Sequence, residues 1–593
     1  MQDEIKNKII IDLIENESCN LDNTGQVKKI NLSGKFTIIN PSTSRIWNAK
    51  LFLTNINPTN LENDKFIINE VKPSEQWSRE YKVNDDFIKE PVLDISEEID
   101  TYYEIDAPNW AGIIGKRSPT AFKLFVKNKS NSIIRNVTIT KELPEYFDDP
   151  ILNPTTTLES LTFDSGTRNI IWKIDKIDPG KSLGVTIKTG FTPEMPEPYG
   201  AGKIMATYKV ENAIRTKLDA RVEANTDNLF AIDVEENMDT PFKWDCTAEF
   251  ENSSNLDVLL KRIKIFQIKN NIQELIIEEN PDQIIEINNS WSKDFVAQSD
   301  NIPKFKKDYE FSVDYVVQKT IFGSLEIEEN KIPIASVKIQ KQIEPNEILA
   351  NTKNDLNIEI LADNIGSASL NEIILKDRIP AHFRPPEKGT IEYFLDDREI
   401  KEGIYYEITP EDDNLENEHL IVHKITNMDK LFGGFKPNSR LIIKYPIQAW
   451  NPPPTKKYLC PIEIFANTLP IGPPVENKLD DIEIKIKYVQ RRIRAFKQIQ
   501  PLSEEGQYKI PVVFHNKGEI VLENIVIKDF IPKNFDLMSW EPEDIKPEIK
   551  DLEDGTELIW RFPLVQPNEK LNLGYTIKGT GEYVAPELEI EVK

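Results

Sequence analysis

Four histidines come first, because imidazole titrates near neutral pH and ligates metals. They are His382, His419, His423 and His515. His419 and His423 stand four apart, a spacing that on a helix would put both on one face as a metal pair. Leu420-Ile421-Val422 between them reads as a strand, where residues four apart share a face but lie about 13 Å apart, too far for one ion. No Ser or Cys sits in a Gly-x-Ser-x-Gly turn, and no Gly-x-x-x-x-Gly-Lys loop offers amides to a phosphate. Glu411-Asp412-Asp413-Asn414 and Asn84-Asp85-Asp86 are acidic loops without the alternating oxygen ligands of a calcium loop. The expectation is a protein that is not an enzyme, with no catalytic residues, no cofactor and no metal.

Three stretches suit protein partners better. The fourth of the repeats described below carries an insert of 22 residues within roughly 388–418, a long loop or hairpin the fold does not require. Such loops are where function tends to sit, and Glu411, Asp412 and Asp413 lie in it. The run from Ala107 to Gly115 is uncharged and apolar, and Trp110 within it could either pack at a domain joint or meet a partner. Arg491, Arg492 and Arg494, with Lys485, Lys487 and Lys497, form the densest basic patch and could face an acidic neighbour.

The whole chain is acidic: 593 residues carry a net charge of −26, from 73 basic and 99 acidic side chains. That disfavours nucleic acid, which calls for a basic footprint, and docking on anionic membrane. Cys19, Cys246 and Cys460 are odd in number and far apart, so buried free thiols are expected rather than a disulfide framework. Ile9-Ile10-Ile11 is followed at once by Asp12, short of the roughly 7–15 apolar residues of a signal peptide. No stretch reaches the ~18 apolar residues of a membrane span. As given, the chain reads as cytoplasmic with no membrane insertion.

Short segments rich in Ile, Val and Phe recur throughout, separated by Pro, Asn, Asp and Gly, the pattern of all-β sandwiches. Asn128 to Pro144, Asn364 to Pro380 and Asn516 to Pro532 each step 16 residues. Pro144 to Pro179 and Pro532 to Pro567 each step 35. Trp291-Ser292-Lys293-Asp294-Phe295 matches Trp77-Ser78-Arg79-Glu80-Tyr81 in residue class at every step. Such internal periodicity marks a repeat architecture. The expected fold is a tandem array of about five immunoglobulin-like β-sandwich domains: 1–118, 119–224, 225–335, 336–487 and 488–593, the first and third divergent. Asn and Gly at the corners are expected to supply positive φ. Pro144, Pro380 and Pro532 end strands without stranding a donor, and Trp172 and Trp560 fill the space between sheets.

One further pattern combines these pieces. Lys497-Gln498-Ile499-Gln500-Pro501, Asn516-Lys517-Gly518, Asp529-Phe530-Ile531-Pro532, Trp560 and Pro567-Asn568 resemble the prokaryotic conserved repeat domain (domain of unknown function 11). The fourth repeat carries Lys341-Gln342-Ile343-Glu344-Pro345 and Asp377-Arg378-Ile379-Pro380, with His423 where the Trp would be. The second has Lys141-Glu142-Leu143-Pro144 in place of the Asp phrase. The resemblance implies tandem immunoglobulin-like modules used as stalks or adhesive units on prokaryotic cell surfaces, without catalytic residues. The expected function is a non-catalytic scaffold or adhesion protein that spaces and presents protein-binding loops. The alternative is a cell-envelope or carbohydrate-binding surface protein exported by an unrecognised route.

Overall fold

The computed structural model describes residues 7–105, 111–152, 159–412, 414–468 and 473–592. They are almost entirely strands; the only α-helix among them is Met428–Phe432. The chain forms two compact units, one built mainly from residues up to Ser336 and one mainly from Val337 onward.

In the first unit an eight-stranded sheet runs in the order Glu159–Asp164, Asn169–Ile177, Ile134–Glu142, Ile204–Glu211, Tyr315–Ile327, Ile9–Leu21, Val27–Ile39, Gln76–Lys82. Two of its interior strands, Ile9–Leu21 and Tyr315–Ile327, pair in parallel along 13 residues. Every second residue of Ile9–Leu21 is buried, as the two-residue side-chain period requires. That strand serves two cores in turn. Ile9, Ile11 and Leu13 pack with Phe36, Leu51 and Val222, whereas Cys19 and Leu21 pack with Phe122, Ile139 and Trp172. Tyr315–Ile327 divides the same way, with Val317 against the first core and Leu325 in the second.

Backbone hydrogen bonding therefore runs through the expected boundaries at 118/119 and 224/225. The reason is length: a 13-residue strand is longer than one sandwich needs, and an alternating apolar pattern does not say which sandwich it fills. Between the strands Asp219–Asn225 and Tyr315–Ile327, residues 229–313 form two further sheets around Phe230, Phe250, Leu260 and Ile265.

In the second unit, Val337–Glu344, Lys353–Asn364 and Arg440–Trp450 form one sheet, and Glu372–Ile379, His419–Ile425 and Ile404–Thr409 belong to another. Residues from Ile493 on form a sandwich of Ile493–Lys497, Gln507–Asn516, Lys570–Gly579 and Phe535–Glu541 against Glu548–Leu552, Gly555–Val565, Leu522–Pro532 and Glu589–Glu591. Trp560 sits in its core, as Trp172 does in its own. Cys19, Cys246 and Cys460 are free and buried.

The repeat is most visible at its corners. Asn40, Asn128, Asn252, Asn364 and Asn516 are all fully buried at strand ends. The Nδ2 of Asn516 donates to the carbonyls of Ile520, Val565 and Gln566 at 2.7, 3.1 and 3.1 Å. Asn128 reaches Ser132 and Ile177 at 2.8 and 2.9 Å, and Asn364 reaches Phe435 at 2.7 Å. Asn40 and Asn252 each bridge three carbonyls in the same way.

None of the five asparagines has positive φ, nor do Gly366 and Gly518, so the expected left-handed corner is not how the turn works. The asparagine is selected because its amide satisfies carbonyls that would otherwise be buried unpaired, at about 1–3 kcal/mol each. Gly518 is selected for closeness: a Cβ there would stand 2.9 Å from the Gln490 carbonyl oxygen. Where serine replaces it, at Ser42, Ser130 and Ser254, the hydroxyl donates to the Asn Oδ1 at 2.8 Å.

Trp77 and Trp291 also hold equivalent places. Each lies on an edge strand, opposite the residue two before its corner, Ile38 and Phe250 respectively.

Candidate functional site

The fourth repeat's insert is woven into both sheets. Glu392–Leu395 pairs with Arg440–Trp450 and forms a hairpin with Arg398–Glu399, while Ile404–Thr409 pairs with His419–Ile425. It is therefore no loose loop, and it buries Tyr393, Leu395 and Ile400. Between its turns lies a surface groove of about 660 Å³, lined by Pro385, Pro386, Lys388, Tyr406, Glu411 and Asp412 among others.

Glu411 is exposed and pairs with Lys388, whose hydrogen bond and charge hold its carboxyl below the usual range. Asp412 is tethered more firmly. Its Oδ1 accepts from the Asn414 amide at 3.1 Å, and its carbonyl accepts from Nε2 of the buried His419 at 3.0 Å. Asp413 and Trp110 lie outside the described residues.

The two histidines at the metal-like spacing have separate duties. His419 anchors the acidic turn, and His423 is in the core with Nδ1 2.8 Å from the Tyr393 hydroxyl. Desolvation, then the Lys341 charge, lowers the His423 pKa to about 3. Among the described residues no group of three His, Cys, Asp or Glu could hold a metal ion.

The basic patch divides. Arg491 and Arg492 are exposed, and Arg494 lies over the Phe496 ring at 5.5 Å. Lys497, grouped with them in sequence, turns inward to Oδ1 of Asp529 at 2.5 Å.

That inward turn belongs to a set of buried charges the sequence reading did not single out. Lys341 Nζ meets Asp377 Oδ1 at 2.5 Å with both side chains fully buried, and the Tyr445 hydroxyl donates to Asp377 Oδ2. Lys497 and Asp529 repeat this, with Tyr575 donating to Asp529 Oδ2 at 2.9 Å. Burial pushes the carboxyls of Asp377 and Asp529 above the usual range.

In the second repeat the charges are exchanged: Lys141 meets Glu97 at 2.8 Å. Register makes the three pairs equivalent. Glu97, Lys341 and Lys497 stand opposite Leu124, Ile360 and Val512, each four residues before its corner asparagine. Lys141, Asp377 and Asp529 each lie three residues before the strand-ending proline. The signal was present in the sequence, since the Lys-Gln-Ile and Asp-x-Ile-Pro phrases begin on the paired residues.

Two more buried carboxylates lie where the opening strand passes between cores. Glu15 Oε1 accepts from the Tyr81 hydroxyl at 3.1 Å. Glu17 accepts from the Tyr208 hydroxyl, and from Arg215 at 2.5 Å. Each tyrosine lies over a glycine: a Cβ on Gly34 or Gly323 would stand 2.0 or 1.9 Å from the ring.

No family model matches this chain, and the search of curated proteins found no match. Solved structures with similarity include a yeast delta-COP mu-homology domain complexed with a Dsl1 WxWxV peptide (9% identity, 55% of this chain and 98% of that chain, TM-score 0.23). They also include a structure titled BspA_C_mut (8%, 65% and 97%, TM-score 0.27). A third is BcpA, the major pilin subunit of Bacillus cereus (10%, 53% and 91%, TM-score 0.22). At these identities and superpositions they carry nothing about activity. The class the strands themselves define is an all-β protein of immunoglobulin-like sandwiches. No helix among the described residues is long and apolar enough to cross a membrane.

Proposed function

We propose that this chain is a non-catalytic scaffold or adhesion protein, in which about five immunoglobulin-like modules space and present protein-binding surfaces. The observation that carries this reading is the groove of the fourth repeat. The insert spends strands in both sheets and a buried histidine to hold an acidic, proline-flanked surface in place, more anchoring than a spacer needs. Glu387, Glu407, Glu411 and Asp412 outnumber Lys388 around it, so the fitting partner is a basic protein segment. The motifs shared with the conserved repeat domain support the same role.

In this reading the modules at 1–118 and 119–224 act as a fused pair through their common sheet, and Arg491, Arg492 and Arg494 are a secondary contact.

The test is chemical crosslinking in native cells with the full chain and with Glu411→Lys combined with Asp412→Lys. The expected result is loss of at least one crosslinked protein from the double variant and its retention by Arg491→Glu. An unchanged partner set in the double variant overturns the groove as the site. Fractionation of the same cells decides between an intracellular scaffold and the envelope-bound alternative.

A further inference from the structure

Among the buried charge pairs, Lys341–Asp377 is hydrogen-bonded in a way that suits an amide better than two ions. An ammonium carries three N–H donors. Lys141 donates to two backbone carbonyls, Ala201 and Gly202, at 2.5 and 2.8 Å, and is paired in charge with Glu97 at 2.8 Å. Lys497 keeps 9% of its side chain exposed, so water can take what Asp529 does not.

Lys341 has neither outlet. Its side chain is fully buried, and its protein acceptors among the described residues are Asp377 Oδ1 at 2.5 Å and the Cys460 carbonyl at 3.3 Å. A buried donor or charge lacking its full set of partners is costly. A secondary amide at the same place would carry one N–H and one C=O. The Cys460 carbonyl is positioned to accept from that N–H, and the Tyr445 hydroxyl already donates to the oxygen that would become the amide carbonyl.

We propose that Lys341 and Asp377 condense to an intramolecular amide crosslink joining the strands Val337–Glu344 and Glu372–Ile379. A proton passes from Nζ to Oδ1, leaving a neutral amine and a neutral acid. The Nζ lone pair attacks Cγ, forming the C–N bond, while the Tyr445 hydroxyl polarises the Cγ–Oδ2 carbonyl. The Cγ–Oδ1 bond then breaks, and Oδ1 takes a second proton from Nζ and leaves as water. No oxidant, reductant or cofactor is needed. Desolvation of the Asp377 carboxyl, which favours its neutral form, helps the first proton transfer. Exclusion of bulk water from the core opposes the reverse hydrolysis.

The experiment is peptide mapping by mass spectrometry on the full-length protein, denatured after purification. The expected product is a branched peptide joining the segments that contain Lys341 and Asp377, lighter than their sum by one water. It should be absent from Lys341→Arg, which keeps a cation, and from Asp377→Ala. In Tyr445→Phe the crosslinked fraction soon after synthesis should fall several-fold, because the ring remains but the polarising hydroxyl does not. Recovery of Lys341 and Asp377 from folded wild-type protein only in separate linear peptides overturns the proposal, whether or not any variant folds.

Discussion

In the strand Ile134–Glu142 the residue three before Pro144 is a lysine, while in Glu372–Ile379 and Leu522–Pro532 the residues three before Pro380 and Pro532 are aspartates. The partner strand answers with Glu97 in the first case and with Lys341 or Lys497 in the others. The neighbours change with the sign of the charge. Where the strand before the corner meets its antiparallel partner, Ile358 and Ile510 face Tyr445 and Tyr575, but Phe122 faces Ile187. A hydroxyl can donate to a carboxylate but not to an ammonium, so the tyrosine goes with the acid. Glu15 with Tyr81 and Glu17 with Tyr208 follow the same rule elsewhere in the chain. Lys141, having no use for a donor, is held by backbone carbonyls instead. The difference teaches that the module keeps a buried pair of opposite charges, not a particular charge at a particular place.

The harshest way to break this comparison is Lys141→Asp alone. It restores the residue type of the other modules but leaves Glu97, the new carboxylate and two carbonyls facing one another with no cation. Breaking a buried pair costs about 3–5 kcal/mol, and like charge adds to that. Denaturant unfolding of the first unit should show a loss at least that large. A midpoint equal to wild type would mean that the pair is not buried as described. Adding Glu97→Lys should recover only part, because the Ala201 and Gly202 carbonyls remain aimed at what is now an acid.

A second contrast lies two residues back along the same strands. Trp172, His423 and Trp560 stand opposite Ile139, Leu375 and Ile527, each five residues before its proline. Only the fourth repeat places a titratable group there. Its unfolded pKa is near 6.5 and its folded pKa about 3, so between those values the unfolded chain binds a proton that the folded one refuses. Stability is lost as pH falls from 6.5 toward 3, at roughly 1.4 kcal/mol per pH unit. By pH 4 hydrogen exchange should show Glu372–Ile379 opening more readily by ~3 kcal/mol, with no such term in Leu522–Pro532. His423→Phe should flatten the difference.

Smaller again is Tyr575→Phe, which removes one hydrogen bond to a buried carboxylate at a cost of roughly 1.5–3 kcal/mol. Burial has raised the Asp529 pKa above 3.8. The contribution from its titration is therefore full below that value and is lost as pH rises through the folded pKa. The deficit of the Phe variant should accordingly shrink toward acid pH, when the carboxyl carries its own proton.

Much of this was legible in the sequence. Alternating apolar residues gave the strands, and equal steps from Asn128, Asn364 and Asn516 to their prolines gave the shared corner. The corner at Asn252 was missed because Ile268, not a proline, stands 16 residues on, although Ser254 makes the same contacts as Ser130. The parallel pairing of Ile9–Leu21 with Tyr315–Ile327 was not legible, because residues some 300 apart carry no local record of their register. Of the candidate site, the acidic turn at Glu411 and Asp412 was located by counting an excess of residues. Its tether, His419, had been weighed only as a metal ligand. Lys497 was counted with the exposed arginines because one strand of sequence does not say which lysine faces the core.

The mildest test returns to the same chemistry at the surface. Lys388 and Glu411 form an ion pair like that of Lys341 and Asp377, but both are more than two-thirds exposed. Water solvates each ion nearly as well as its partner does, so such a pair adds little to stability. The Glu411 carboxyl is held below 4.5 by Lys388, first through the hydrogen bond, so whatever it contributes is present above that value and fades as pH falls. Glu411→Gln should leave the unfolding midpoint of the second unit unchanged at neutral pH while weakening the crosslink to a basic partner. A large loss of stability in this variant would mean that burial is not what separates the two pairs. The rule drawn from Lys141, Lys341 and Lys497 would then fail with it.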